Sequence, residues 1–270
     1  MDPVSPYDEL SGNVVALSVA MPSEARHVLA DLDRARPIAV GPWRGWCGVV
    51  SERPVVLLLT GIGMVNAAAG LAALLSRWRP RAILNVGCAG AHRVDVMPGD
   101  VIAATATVAH GSIAVLPDGS EHFIGHNFDV EGATLTPHRL DADSQLLALA
   151  RRATVGWSPE PWPESTMREP AVHFGIVASA DCFTQHTARI EALHARHGSL
   201  CEDMEAAALA QVAAIHRIPF LAIKDVSNNE FLNTTVHGPH GPNLVSVRDE
   251  LGRRAWDLTR RTIGGLEVER

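Results

Sequence analysis

The chain lacks any stretch in which lysine and arginine accumulate. Its 23 basic residues are outnumbered by 30 acidic ones, for a formal net charge of −7. Nucleic-acid binders show a basic stripe, so its absence argues against nucleic acid and for a small, neutral or zwitterionic partner. The four cysteines (Cys47, Cys88, Cys182, Cys201) form no C-x-x-C pair, which argues against a zinc site or a disulfide framework. Reduced thiols and a cytoplasmic location are expected. No apolar run reaches the roughly 18–20 residues of a membrane span, and the opening MDPVSPYDELSGN lacks the charged and apolar regions of a secretion signal. No H-E-x-x-H or comparable ligand cluster occurs, so neither a metal nor a cofactor is expected. Internal repeats and long low-complexity linkers are also missing.

What is present is a 270-residue chain, 47% hydrophobic, enough for one substantial core. Residues 1–12 read as a loose tail and 13–270 as one domain. Apolar runs at 14–20, 54–60, 82–86, 100–108, 172–179 and 220–226 have the look of strands buried on both faces. Helical patterns at 25–32, 66–78, 141–152, 204–216 and 245–263 alternate with them. Residues 115–137 read as irregular. The stretch 156–170, with four prolines and two tryptophans, reads as a surface excursion. Strands full on both faces, each followed by a helix, predict an α/β fold: a mostly parallel mixed sheet flanked by helices.

In such sheets ligands bind beyond the carboxyl ends of the strands. Those ends carry Met21 and Glu24, the Gly61-Ile62-Gly63 turn, the Gly87-Cys88-Ala89-Gly90 turn, His110, Asp181 and Phe183, Met204 and Glu205, and Ser227-Asn228. Glycine lets a backbone approach a ligand closely. Glu205 stands in an otherwise apolar segment, MEAAALAQVAA, where an acid needs a partner or a function. Glu24 stands at a helix start, where a carboxylate also has an ordinary stabilising role.

Four segments taken together, TGIGMVNAA (60–68), NVGCAGAHRVDVMPGDVI (85–102), SADCF (179–183) and EDMEAAALAQV (202–212), resemble the purine nucleoside phosphorylase/nucleosidase superfamily. They come nearest its methylthioadenosine/S-adenosylhomocysteine nucleosidase branch. The resemblance implies hydrolysis of the N-glycosidic bond of a purine nucleoside, with Glu24 activating water. It implies that Met204 and Glu205 hold the ribose, Glu205 gripping its hydroxyls. Phe183 would stack on the purine, and Met21 and Ile62 would lie near the sugar and its 5′ substituent. Cys88, Ala89, Gly90 and Ser227 complete the implied substrate contacts, and Asn228 addresses the base edge. Asp203 stands for a second glutamate of the pattern and Lys224 for an arginine. A homodimer or higher homo-oligomer is implied as well. The chemistry agrees: an oxocarbenium-like transition state needs a carboxylate to orient water, a grip on the sugar and a donor at N7.

The phosphorylases of the superfamily hold phosphate with arginines, one just before the glycine turn of the third strand. That position is Asn85 here, Cys88 replaces the hydroxyl of the turn, and MPSEAR replaces the Gly-Asp-Pro loop. Arg26 reads as a helix-surface residue. Without a bidentate guanidinium a phosphate dianion is poorly held, which favours water as the nucleophile. A phosphorylase and a non-catalytic nucleoside-binding protein stand as alternatives. Asn228 replaces the aspartate of the thioadenosine nucleosidases and can donate a hydrogen bond but not a proton. It suits adenine, by bridging N6 and N7, or a 6-oxopurine, as in the similar Ser-Asn loop of futalosine hydrolases. Lys224 and Asp225 read as a local ion pair, and 231–243 as a lid over the 5′ end.

Overall fold

The computed structural model describes residues 13–163, 168–234 and 247–267. The expected tail and the 235–243 part of the expected lid lie outside the described residues. The chain runs β1 (Val15–Val19), α1 (Pro22–Ala30), β2 (Asp33–Val40), β3 (Trp43–Val50), β4 (Arg53–Leu59), α2 (Met64–Leu75), β5 (Ala82–Ala91) and β6 (Val101–Ala109). Two short ribbons follow, β7 (Ile113–Val115) with β8 (Glu121–Phe123) and β9 (Phe128–Val130) with β10 (Ala133–Leu135), then β11 (Leu140–Asp141) and α3 (Ser144–Ala153). The remainder is β12 (Val172–Ser179), α4 (Thr187–His197), β13 (Ser199–Asp203), α5 (Ala206–His216), β14 (Phe220–Asn228) and α6 (Arg253–Gly264).

Ten strands make one mixed sheet. β1 lies parallel to β4 and β5, β14 parallel to β5, and β12 parallel to β6 and β13. Antiparallel pairing adds the β2–β3 hairpin beside β4. β14 bonds to β5 and also to β6, which closes β5, β13, β12, β6 and β14 into a ring.

The doubly apolar strands are explained by two cores. Val15, Leu17 and Val19 of β1 face one core, with Val28 of α1, Leu146 of α3 and Leu258 of α6. Ala16 faces the other, with Val56, Leu58, Leu71 of α2 and Leu209 of α5. Each fully buried aliphatic side chain contributes about 1.5–3 kcal/mol. The alternation therefore holds helices to both faces and leaves the strand ends to form a cavity.

Some expectations are corrected. The helix expected at 204–216 starts at Ala206, with Glu205 as its N-cap. The terminal helix starts at Arg253, because Gly252 before it takes the left-handed conformation, φ 79°. Residues 115–137 are not wholly irregular: they carry β8, β9 and β10, and β7 ends at Val115. The excursion at 156–170 is not wholly a surface feature: Trp162 is buried against Val247 and Leu251, with Met21 and Cys88 beside it. Among the described residues no helix is long and apolar enough to cross a membrane.

Candidate active site

Glu24 sits in the first turn of α1, and the backbone around it is built to hold its carboxylate. Pro22 opens the helix, where its missing N–H costs nothing. Oε2 accepts from the Ala20 N–H at 3.0 Å and the Met21 N–H at 2.9 Å, and Oε1 accepts from the Cys88 N–H at 3.0 Å. A β-carbon added at Gly87 would lie 2.6 Å from Oε1, and one at Gly252 would lie 3.1 Å from Cγ. Two glycines thus frame a side chain that is only 3% exposed.

Glu205, 5% exposed, accepts from the Gly63 N–H at 2.9 Å. Gly63 itself has φ 103°, which bends the Gly61-Ile62-Gly63 turn so that this amide reaches the carboxylate. Burial pushes the Glu205 carboxyl up to about 7; Asp203 adds to the rise and Lys224 opposes it. Lys224, the only lysine of the chain, places Nζ 2.8 Å from Asp203 Oδ2. Burial alone would lower its pKa, but Asp203 and Glu205 hold the ammonium above its ordinary value. Asp203 also accepts from Ser179 Oγ at 2.5 Å and from the Ala206 N–H at 3.0 Å, tying β12, β13, β14 and α5 together beneath Glu205.

The expected Lys224–Asp225 pair does not form. Strand alternation sends neighbours to opposite faces, and Asp225 instead accepts from the Gly252 and Arg254 N–H groups at the start of α6, at 3.0 and 3.2 Å. Burial raises the Asp225 carboxyl to about 7, with Arg254 opposing.

At the far end of the cavity, Ser227 Oγ donates to Asn228 Oδ1 at 2.8 Å, and Asn228 Nδ2 donates to Glu230 Oε1 at 2.9 Å. These residues end β14 rather than lying on a separate loop. His110 follows β6 and brings Nε2 within 2.7 Å of Glu202 Oε1. Glu202 also accepts from Thr184 Oγ1 at 2.9 Å and the Thr184 N–H at 3.0 Å. Burial would raise its pKa, but the His110 and Thr184 hydrogen bonds hold it below the ordinary value.

Met21, Glu24, Ile62, Cys88, Ala89, Gly90, Phe183, Asp203, Met204, Glu205, Ser227 and Asn228 line one cavity of about 290 Å³. Lys224 does not line it but stands behind Asp203. Ala20 and Glu202 are lining residues the sequence did not single out. Cys88 is half-buried, and desolvation of its thiol, with Glu24 and Asp225 nearby, pushes its pKa above the ordinary value. No arginine or lysine lines this cavity among the described residues. Arg26 lies on the surface of α1, paired with Asp249, and Asn85 Nδ2 donates to the Ser18 carbonyl at 3.2 Å inside the core.

Residues 14–259 match the phosphorylase superfamily. A 5′-methylthioadenosine/S-adenosylhomocysteine nucleosidase of Geobacillus sp. is 29% identical over 242 residues, covering 86% of this chain and 95% of the relative. A nucleosidase of the same name from Bacillus cytotoxicus is 30% identical over 218 residues, covering 79% and 85%. The fold is similar to that of the S. pneumoniae 5′-methylthioadenosine/S-adenosylhomocysteine nucleosidase bound to a transition-state inhibitor, with a TM-score of 0.74, 24% identity and coverage of 94% of this chain and 100% of that one. On the matched span and these relatives, the chain belongs to the phosphorylase superfamily.

Proposed function

We propose that this chain hydrolyses the N-glycosidic bond of a purine nucleoside with a 5′ thioether substituent, of the kind named in its nucleosidase relatives, using water that Glu24 activates. The observation that carries this is the Glu24 carboxylate, fixed by three backbone N–H groups on the wall of a cavity that no arginine or lysine lines among the described residues. A phosphate dianion would meet Glu24, Glu202 and Glu205 there with no guanidinium to offset them. Water suffers no such repulsion.

Each step follows from charge. As the bond to the base lengthens, the sugar gains positive charge, and the buried carboxylates stabilise it more than they would in bulk water. Glu205 accepts from the ribose hydroxyls. Phe183, 43% exposed at the cavity mouth, offers its ring to the purine. Asn228 donates to N7 as electron density moves onto the leaving base. Glu24 takes a proton from the attacking water as its oxygen bonds to the anomeric carbon; the base leaves with the electron pair of the broken C–N bond and takes up a proton from solvent, giving free base and free sugar.

Ile62 is 51% and Val65 76% exposed at the start of α2. This apolar rim supports a homo-oligomer in which a second copy covers the 5′ end. The four unpaired cysteines support a cytoplasmic location.

The test is chromatography of free base released from 5′-methylthio nucleosides, with and without phosphate. Release at the same rate in both, with free sugar as the second product, is expected. Strict dependence on phosphate would overturn the proposal.

A further inference from the structure

At the base end of the cavity three residues stand in register across three strands. Gly90 of β5 pairs with Glu202 of β13 on one side and with Asn228 of β14 on the other. Paired residues project to the same face of a sheet. With strands about 4.8 Å apart, the Glu202 and Asn228 backbones are roughly 10 Å apart, and a glycine lies between them. A β-carbon at Gly90 would lie 3.1 Å from Asn228 Nδ2, so glycine keeps this slot open. Phe183, which offers its ring to the base, lines the same slot.

The two walls differ in what they offer. On the Asn228 wall, Oδ1 is taken by Ser227 and one Nδ2–H by Glu230, which leaves the second Nδ2–H as a donor. On the other wall Glu202 Oε1 accepts from Thr184 Oγ1 and lies 2.7 Å from His110 Nε2, and Oε2 accepts from the Thr184 N–H. Two carboxylate oxygens accept about four hydrogen bonds, so one acceptor position remains, on Oε2. Thr184 directly follows Phe183, and its N–H is already spent on Glu202. This wall therefore offers an acceptor.

A purine lying between the walls presents N7 and its 6-substituent towards one side and N1 towards the other. A 6-oxopurine carries hydrogen on N1 and oxygen at C6, so it donates to Glu202 and accepts from Asn228. Adenine carries a lone pair at N1, which would face an ionised carboxylate with no donor between them. We propose that Glu202, held in place by His110, selects a nucleoside whose purine bears hydrogen on N1, a 6-oxopurine of the hypoxanthine or guanine type, over its adenine counterpart. This inference rests on the nucleosidase reading and narrows its substrate. It sets the chain apart at the base edge from relatives named for adenosine compounds.

The test compares kcat/KM for 5′-methylthioinosine and 5′-methylthioadenosine, which share sugar and 5′ group and differ only at the six-membered ring. The wild type is expected to favour the inosine compound by about tenfold or more, the discrimination one mismatched base-edge contact gives. Glu202→Gln can turn its NH2 towards the N1 lone pair of adenine, and is expected to move that ratio at least tenfold towards the adenosine compound. Equal or better cleavage of 5′-methylthioadenosine by the wild type would overturn the inference while leaving the nucleosidase reading intact. So would an unchanged ratio in the variant. If Glu202→Gln fails to fold, the wild-type ratio decides alone. If neither nucleoside is cleaved, the nucleosidase reading fails, and calorimetry of the wild type with hypoxanthine and with adenine decides the base edge. Tighter hypoxanthine supports it, and equal or tighter adenine overturns it.

Discussion

Gly87 and Glu24 compete for one volume: a β-carbon on Gly87 would stand 2.6 Å from Glu24 Oε1. The carboxylate keeps its three backbone donors because residue 87 has no side chain. Gly87→Ala must push the carboxylate off at least the Cys88 N–H. A displacement on the order of 1 Å of a catalytic group costs about 10²-fold in rate. The expected outcome is a fall of that size in kcat with little change in KM, in protein that still folds. Steady-state kinetics on the purified variant check it, and wild-type kcat would contradict the role given to this contact.

Glu205 gives stability a pH dependence. Its folded carboxyl is pushed up to about 7, above the roughly 4.3 of an unfolded glutamate. A carboxyl harder to ionise in the fold contributes stability that is complete below the unfolded value and is lost as pH rises through the folded one. Asp225, also raised to about 7, acts in the same direction, so stability falls between about pH 4 and 7. Glu205→Gln removes the Glu205 share. Its stability relative to wild type should rise by on the order of 3–4 kcal/mol from pH 4 to pH 8, while base release is lost. Denaturant unfolding across that range checks the sign; a difference that stays flat or falls with pH would refute it.

Most of the frame was legible in the sequence because buried strands are apolar on both faces. The runs that became β1, β4, β5, β6, β12 and β14 stand out for this reason. β2 does not: Asp33–Val40 reads DRARPIAV and is mostly exposed at the sheet edge, so its pattern is that of a loop. β13 is hidden because SLCED buries two carboxylates, and α4 because TARIEALHARH buries only Ile190 and Leu193. The residues that line the cavity were picked out through resemblance, one motif at a time. Glu202 was not, since its significance lies in the register with Gly90 and the approach of His110, which no local pattern carries. His110 itself gave a faint signal as a histidine directly after an apolar strand.

Trp162 links the proline-rich excursion to the site. It is buried with Val247 and Leu251, and the fully buried Arg254 guanidinium stands 5.0 Å from its ring. Arg254 in turn donates to the carbonyls of Glu160 and Pro161, at 2.6 Å each. Trp162→Ala should cost about 3 kcal/mol or more and lower the melting temperature by roughly 6–12 °C. Calorimetry checks this, and an unchanged melting temperature would return the excursion to a surface feature.

Lys224 neutralises Asp203 beside Glu205. Lys224→Met leaves Asp203 buried without its counter-charge, a loss of about 3–5 kcal/mol. Lys224→Met combined with Asp203→Asn should recover part of it. Chemical denaturation of the three variants checks the coupling, and additive losses would contradict it.

Base release from Glu24→Gln shows whether Glu24 activates the attacking water. Glutamine can keep the bonds from Ala20 and Met21 through its oxygen, but turns an NH2 towards the Cys88 N–H, a cost of about 1–2 kcal/mol. The protein should therefore fold and still bind the product base. Loss of the general base should lower kcat by about 10²–10⁴-fold. Turnover within tenfold of wild type would contradict the account and leave the water without its base.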